Sequence, residues 1–219
     1  MRFAGGCYFH AMTAHRFDLT GGHPVLDFVN TVSRWTAPPD QRQEYLPTLG
    51  EAARFGRAGG LLAPAEAGRL ASVRRPRAEL LRLCALRERL ERIFREMTDG
   101  AIAPAEDWEW LSRESGAAAS SSRLRAGPHR RVTRSVEEDL AGAAVLRYRL
   151  ADQAVQLLTS DAMTRLKSCP GCGWFFLDVS KNHSRRWCSM AACGSHAKSR
   201  AYYLRRRREG THPPNPLAR

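Results

Sequence analysis

Four cysteines near the C-terminal end constrain this 219-residue chain more than any other feature. Cys169-Pro-Gly-Cys172 is followed, after fifteen residues, by Cys188-Ser-Met-Ala-Ala-Cys193. Two close-spaced pairs across a loop of this size have the spacing of a metal site, because Zn2+ takes four tetrahedral ligands and thiolates serve it well. An all-cysteine shell is closed, which leaves no position for a hydrolytic water and makes the site structural rather than catalytic. Two other ligand readings stay open. Four thiolates also hold iron–sulfur clusters, and His196, three residues beyond Cys193, could substitute for one of them.

Local signals around the cysteines give the module its expected shape. Gly171 and Gly173 let the chain turn tightly around a metal. Trp174 to Leu177 reads as a strand, Asp178 to Ser184 as a polar turn, and Arg185 to Trp187 as a returning second strand. Ser189 is placed to cap a helix whose first turn contains Cys193. Knuckle, β-hairpin and helix together are a treble-clef-like zinc module. The helix is expected to run to about Arg208, with Ala197, Ala201 and Leu204 packing on the knuckle and Trp174.

Net charge becomes informative once it is located. The chain carries +13, and residues 165–209 hold eleven Lys or Arg against two acids. The preceding 164 residues are close to balanced, with twenty-three basic and twenty acidic side chains. A surplus focused on the cysteine-rich segment is the electrostatic footprint of a nucleic-acid binder. The expected contacts to duplex DNA are Lys181, Arg185 and Arg186 on the hairpin, and His196, Lys198, Arg200, Arg205, Arg206 and Arg207 on the helix. Such side chains neutralise phosphates and reach base edges in a groove. An RNA- or protein-docking module is the alternative for the same features.

The preceding part of the chain reads as a predominantly α-helical body with one minor β-hairpin, so the fold class is α+β. Pro24 starts a short helix through Val-Leu-Asp-Phe-Val-Asn-Thr-Val, with Leu26, Val29 and Val32 on its apolar stripe. Thr48 and Glu51 form a capping box for the next helix, which ends near Gly59-Gly60. Pro64 opens a third, to about Val73. Pro76 to Met97 is the longest amphipathic element, with Cys84 on its core stripe and i, i+4 charge pairs on its exposed face. This helix can pack internally or against a second copy, which leaves a homodimer open. Pro104 begins a further helix, and a hairpin is expected around Arg125 to His129. Ser135 and Glu138 would then cap one long helix to about Leu166.

Catalytic signatures are missing: there is no Gly-rich phosphate loop, no H-E-x-x-H and no G-x-S-x-G. The chain is therefore not read as an enzyme. His23, Asp27 and Asn30 either line a pocket for a small-molecule effector or are satisfied polar residues at a helix start. No apolar run approaches the ~18 residues a membrane span needs, and the cysteine usage reads as cytoplasmic, with Cys7 and Cys84 reduced. Residues 1–16 read as an extension, with Met12 as a candidate start, and residues 210–219 as a disordered Pro-containing tail.

The stretch from Cys172 to Arg200, with Trp174, Asp178, Arg185, Arg186, Trp187, Cys188, Met190, Cys193 and Gly194, resembles the CGNR zinc-finger family. The opening Gly21-Gly-His-Pro-Val-Leu-Asp-Phe-Val-Asn-Thr-Val32 is similar to the L-D-F-x-N-T signature of the ABATE-type domain that such proteins carry. The resemblance implies a bacterial, stress-induced transcription regulator, with a sensory body over residues 17–164 and a DNA-binding zinc domain over 165–209. It departs from the family at one point. Cys193-Gly194-Ser195-His196 stands where the family has C-G-N-R, so contacts made by that Asn and Arg do not carry over.

Overall fold

The computed structural model describes residues 17–208. The expectations for residues 1–16, Cys7 and the tail 210–219 lie outside the described residues. Helix starts and stops follow the local signals closely. His23 Nδ1 accepts from Val25 N–H and Pro24 occupies the first turn of α1 (Pro24–Val29). The hydroxyl of Thr48 accepts from Glu51 N–H to open α2 (Leu49–Ala58), although the Glu51 carboxylate pairs with Arg54. Next come α3 (Pro64–Ala71) and α4 (Pro76–Thr98). The chain leaves α4 through Gly100 at φ 75°, a conformation that costs glycine little.

Two elements differ from the expected pattern at α1 and α4. Helix α1 is buried on all sides, with Val25, Leu26, Phe28 and Val29 fully enclosed, so it is a core helix rather than an amphipathic one. Val32 lies beyond it, bridged to Glu44. On α4, Arg87 turns inward, where it pairs with Glu44 and donates to Thr31 Oγ1 (2.9 Å). Arg92 reaches Asp107 instead of a neighbour on its own helix, and Cys84 is only half-buried.

Helix α5 (Ala105–Ser120) leads into the expected hairpin, β1 (Ser122–Ala126) with β2 (Val132–Val136). The single long helix expected after it is broken. A short α6 (Glu138–Ala141) stops at Gly142, whose φ of 56° a continuous helix cannot accommodate, and α7 runs from Val145 to Leu158. Ser135 stays in β2 and donates to Glu137. Beyond α7, Leu166–Ser168 is not helix but a strand, β3.

One apolar core gathers α1, α2, α4, α5 and α7, with Phe28, Phe55, Phe94, Leu86 and Leu146 fully buried. Each such side chain stabilises the fold by about 1.5–3 kcal/mol relative to exposure. The same core includes Phe175 and Leu177 of β4 (Phe175–Leu177). The cysteine segment therefore shares its interior with the helical body.

Candidate metal centre and basic helix

The knuckle sits at the turn between β3 and β4. Strand β4 pairs antiparallel with β3, Lys167 opposite Phe176. The hairpin thus forms from the strand before Cys169, and Arg185 to Trp187 is an irregular return rather than the second strand. Cys169 N–H donates to Trp174 O and Gly173 N–H to Cys169 O, both at 2.8 Å, which closes the turn. Gly173 is forced here: its φ is 78°, and a Cβ would lie 3.0 Å from Thr36 Cγ2 and 3.2 Å from Thr36 N.

The second cysteine pair arrives on a helical start. Ser189 caps it through Ala192 N–H, and one π-type turn, Met190–Gly194, carries Cys193 into α8 (Ser195–Arg208). All four Sγ atoms lie within 4.8 Å of one another, with Cys172 to Cys188 at 3.5 Å and Cys188 to Cys193 at 3.7 Å. A tetrahedral ion with Zn–S bonds of about 2.3 Å needs sulfurs about 3.8 Å apart, so the cluster fits one Zn2+. A multi-iron cluster would spread its thiolates around several metals, which this span does not do. No histidine joins the four thiols among the described residues. His196 is exposed on the first turn of α8, so it is not a substitute ligand.

Burial and charge agree with a structural metal. Cys169, Cys172 and Cys188 are buried against Phe176, with Trp174 and Trp187 packed beside them. Thiols this close cannot all ionise without a cation. Hydrogen bonds from Cys172 and Cys188 hold the Cys169 thiol far below its ordinary value. That neighbour, together with Cys172 and burial, pushes Cys188 far above its own. A divalent ion would favour the thiolate form at all four positions.

Two charged residues fix the return loop. Asp178 is buried and accepts from Lys167 Nζ (2.6 Å), Ser180 N–H (3.0 Å) and Ser180 Oγ (2.6 Å). Burial pushes its carboxyl up, but these partners outweigh it and hold it below the usual carboxylate range. Lys167 also donates to the carbonyls of His183 and Arg185. Arg185, expected at DNA, stacks on Phe176 at 4.4 Å and donates to the carbonyls of Trp187, Cys188 and Thr20. Its guanidinium is committed to the protein.

The zinc hairpin is bound to the body along the outer edge of β4. Asn30 Nδ2 donates to Phe175 O and Asn30 Oδ1 accepts from Phe175 N–H, both at 2.9 Å and buried. Leu177 N–H donates to Gly21 O (2.9 Å). An amide side chain and a loop carbonyl thus satisfy the backbone groups of a strand edge that would otherwise be exposed. Trp174 Nε1–H donates to Val32 O (2.7 Å). Arg95 adds bonds to Ser168 Oγ and Gly173 O and lies over the Phe175 ring at 4.6 Å.

Of the pocket candidates, His23 serves as the cap of α1, and Asp27 accepts from Gly21 N–H (2.7 Å). Asp27 and Asn30 line one small cavity with Trp174; His23 does not. The roles of Arg95 and Lys167 had no sequence signal, because each acts through pairing across the fold.

Helix α8 carries the remaining basic residues away from the body. His196, Lys198, Arg200, Arg205 and Arg206 are exposed, and Arg207 lies in the last turn. Ala201 and Leu204 are exposed as well, Leu204 at 49%. The expected apolar stripe therefore does not pack on the knuckle. Tyr202 and Tyr203 stand edge to face at 5.9 Å, and Arg205 and Arg206 lie near the Tyr202 ring. Lys198, Arg200 and Arg205 form no ion pair with another described residue. Lys181 and Arg186 are exposed on the return loop, Arg186 over the Trp187 ring at 5.2 Å.

Comparison with known proteins gives two matches along the chain. Residues 22–161 match the ABATE family, described as "Putative stress-induced transcription regulator". Residues 165–206 match the CGNR zinc finger. No curated protein matches the chain. No described helix is long and apolar enough to cross a membrane.

Proposed function

Since the chain belongs to the ABATE family, with a CGNR zinc finger following the ABATE domain, we propose that it is a DNA-binding transcription regulator acting in the cytoplasm. In this reading the Cys169, Cys172, Cys188 and Cys193 site is a scaffold, and its Zn2+ supplies structure rather than chemistry. The four thiolates fix the start of α8, and α8 presents Lys198, Arg200, Arg205, Arg206 and Arg207 to duplex DNA. Arg186 and Lys181 flank it from the return loop. Arg185 is left out of the contact set because its donors are already used within the fold.

One observation carries the reading. An exposed helix with no acidic residue is rooted on a rigid metal centre. Packing does not require so many cations on it, whereas a polyanion does. The two exposed tyrosines add flat surfaces for contact with sugar or base edges. The regulatory and zinc-finger character of the matched families favours a role other than catalysis.

Salt dependence of binding tests the proposal. Zinc-loaded protein should bind duplex DNA with a log–log slope of about −0.9 for each phosphate neutralised, reaching about −4 to −5 for five contacts. Arg205→Ala with Arg206→Ala should reduce that slope by about 2. Preference for single-stranded RNA, or binding no better than a basic peptide of equal charge, would overturn the DNA assignment.

A further inference from the structure

A cavity of about 70 Å3 lies where α1 meets the zinc hairpin. Phe17, Asp18, Asp27, Asn30, Tyr45 and Trp174 line most of it. Nearly every polar group in its wall is already engaged. Asn30 is engaged at both its amide groups by the Phe175 backbone, and Thr31 Oγ1 by Phe28 O and Arg87. The Trp174 indole N–H is held by Val32 O, and the Tyr45 hydroxyl pairs with Ser33. Asp27 is the exception. Its Oδ1 accepts from Gly21 N–H, but Oδ2 has no partner among the described residues, and the residue is only 8% exposed.

The wall therefore offers one carboxylate oxygen without a hydrogen-bond partner, on a residue only 8% exposed, and three aromatic rings, and no cation lines it among the described residues. A carboxylate in that setting lacks a counter-charge, and aromatic faces attract cations. Volume limits the occupant further. A water takes about 30 Å3 and a cavity of about 150 Å3 holds benzene, so this one holds a head of about two heavy atoms. Asp18 and Leu19 are exposed at the rim and leave room for a tail to exit.

We propose that this cavity binds the ammonium head of a small primary amine, ion-paired to Asp27 and enclosed by Trp174, Tyr45 and Phe17. The electrostatics agree: burial pushes the Asp27 carboxyl up to about 6 despite the bond from Gly21. The carboxylate is charged above that value and gains a partner when the ammonium enters. Asp18 and Tyr45 are the other titratable groups in the wall. The occupant would touch Asn30 and Trp174, which tie the zinc hairpin to the body, so the site is suited to an effector. Its occupancy is read without DNA and does not depend on the DNA assignment.

The test uses full-length zinc-loaded protein, titrated with methylammonium chloride at constant ionic strength and followed by amide and indole NMR. Saturable shifts at the Trp174 indole and the Gly21 and Asp27 amides are expected, with a dissociation constant in the millimolar range. They should weaken at least tenfold in Asp27→Asn and as pH falls through about 6 in the unmodified protein. The pH series decides the matter if the variant loses its zinc or its fold. Equal shifts with sodium chloride, no saturation, or unchanged affinity both in a folded Asp27→Asn variant and at pH 5 would overturn the proposal.

Discussion

Replacing Asn30 with alanine should loosen the zinc hairpin although Asn30 is 139 positions before the first metal ligand. The substitution removes two buried hydrogen bonds to the backbone of Phe175, each 2.9 Å long. It leaves one N–H and one carbonyl unsatisfied on the outer edge of β4. A buried polar group without a partner costs about 1–3 kcal/mol, so the pair costs about 2–6 kcal/mol before any relaxation. Against a whole-domain stability of about 5–15 kcal/mol this is a large fraction. Because the lost bonds hold the hairpin that bears Cys169 and Cys172, zinc retention should fall too. If half of a 5 kcal/mol loss is coupled to the metal-bound state, affinity drops about 60-fold. Chelator competition measures that drop, and thermal unfolding by circular dichroism measures the total. Leu86→Ala serves as the comparison, since it removes core contacts without touching the hairpin. An Asn30→Ala protein within threefold of normal zinc affinity and within about 1 kcal/mol of normal stability would refute the reasoning.

Two further outcomes follow from named positions. Gly173→Ala should destabilise by more than about 2 kcal/mol, because left-handed backbone alone costs an L-residue about 1–2 kcal/mol and its Cβ meets Thr36. Gly60→Ala, at φ 70° with open space around it, should show only the backbone part; equal losses at the two sites in denaturant titrations would contradict this. Asp27 has a folded-state value raised from 3.8 to about 6. The folded protein therefore binds the extra proton, and stability contributed by this group falls as pH rises from about 4 to 6. Asp27→Asn should flatten that slope and raise stability at pH 7.5 by about 1–3 kcal/mol; parallel pH profiles for the two proteins would show the account to be wrong.

Signals that act over a few residues were legible in the chain. Pro24, Pro64 and Pro76 open their helices, Thr48 caps α2, Gly100 ends α4 and Ser189 caps the turn bearing Cys193. The cysteine spacing marked the four thiols that converge. What escaped depends on partners distant in sequence. Apolar periodicity continues through residues 159–166, so β3 looked like the end of a helix until β4 was there to pair with it. Gly142 falls inside the single helix expected to about Leu166, and its φ of 56° breaks that helix. Arg87 matched its i, i+4 neighbour on α4, but Glu44 offers it a partly buried carboxylate from another segment. Arg185 looked like one more surface cation because the Phe176 ring beneath it and the Thr20 carbonyl come from other parts of the chain. Likewise, Asn30 read as a polar residue near a helix start, and its amide is in fact the edge partner of a strand.

That last pairing has a consequence for the newly made chain. Asn30 and Phe175 are separated by 145 positions, and a ribosome adding about 5–20 residues per second needs about 7–29 s to cover them. For that interval α1 is already outside the tunnel with its amide unmatched, and Phe94 lacks the ring of Phe175 that it packs against. Local helices can form, but the interior around α1 cannot close until β4 emerges. Closure of the body is thus tied to the arrival of the strand that follows the first pair of metal ligands.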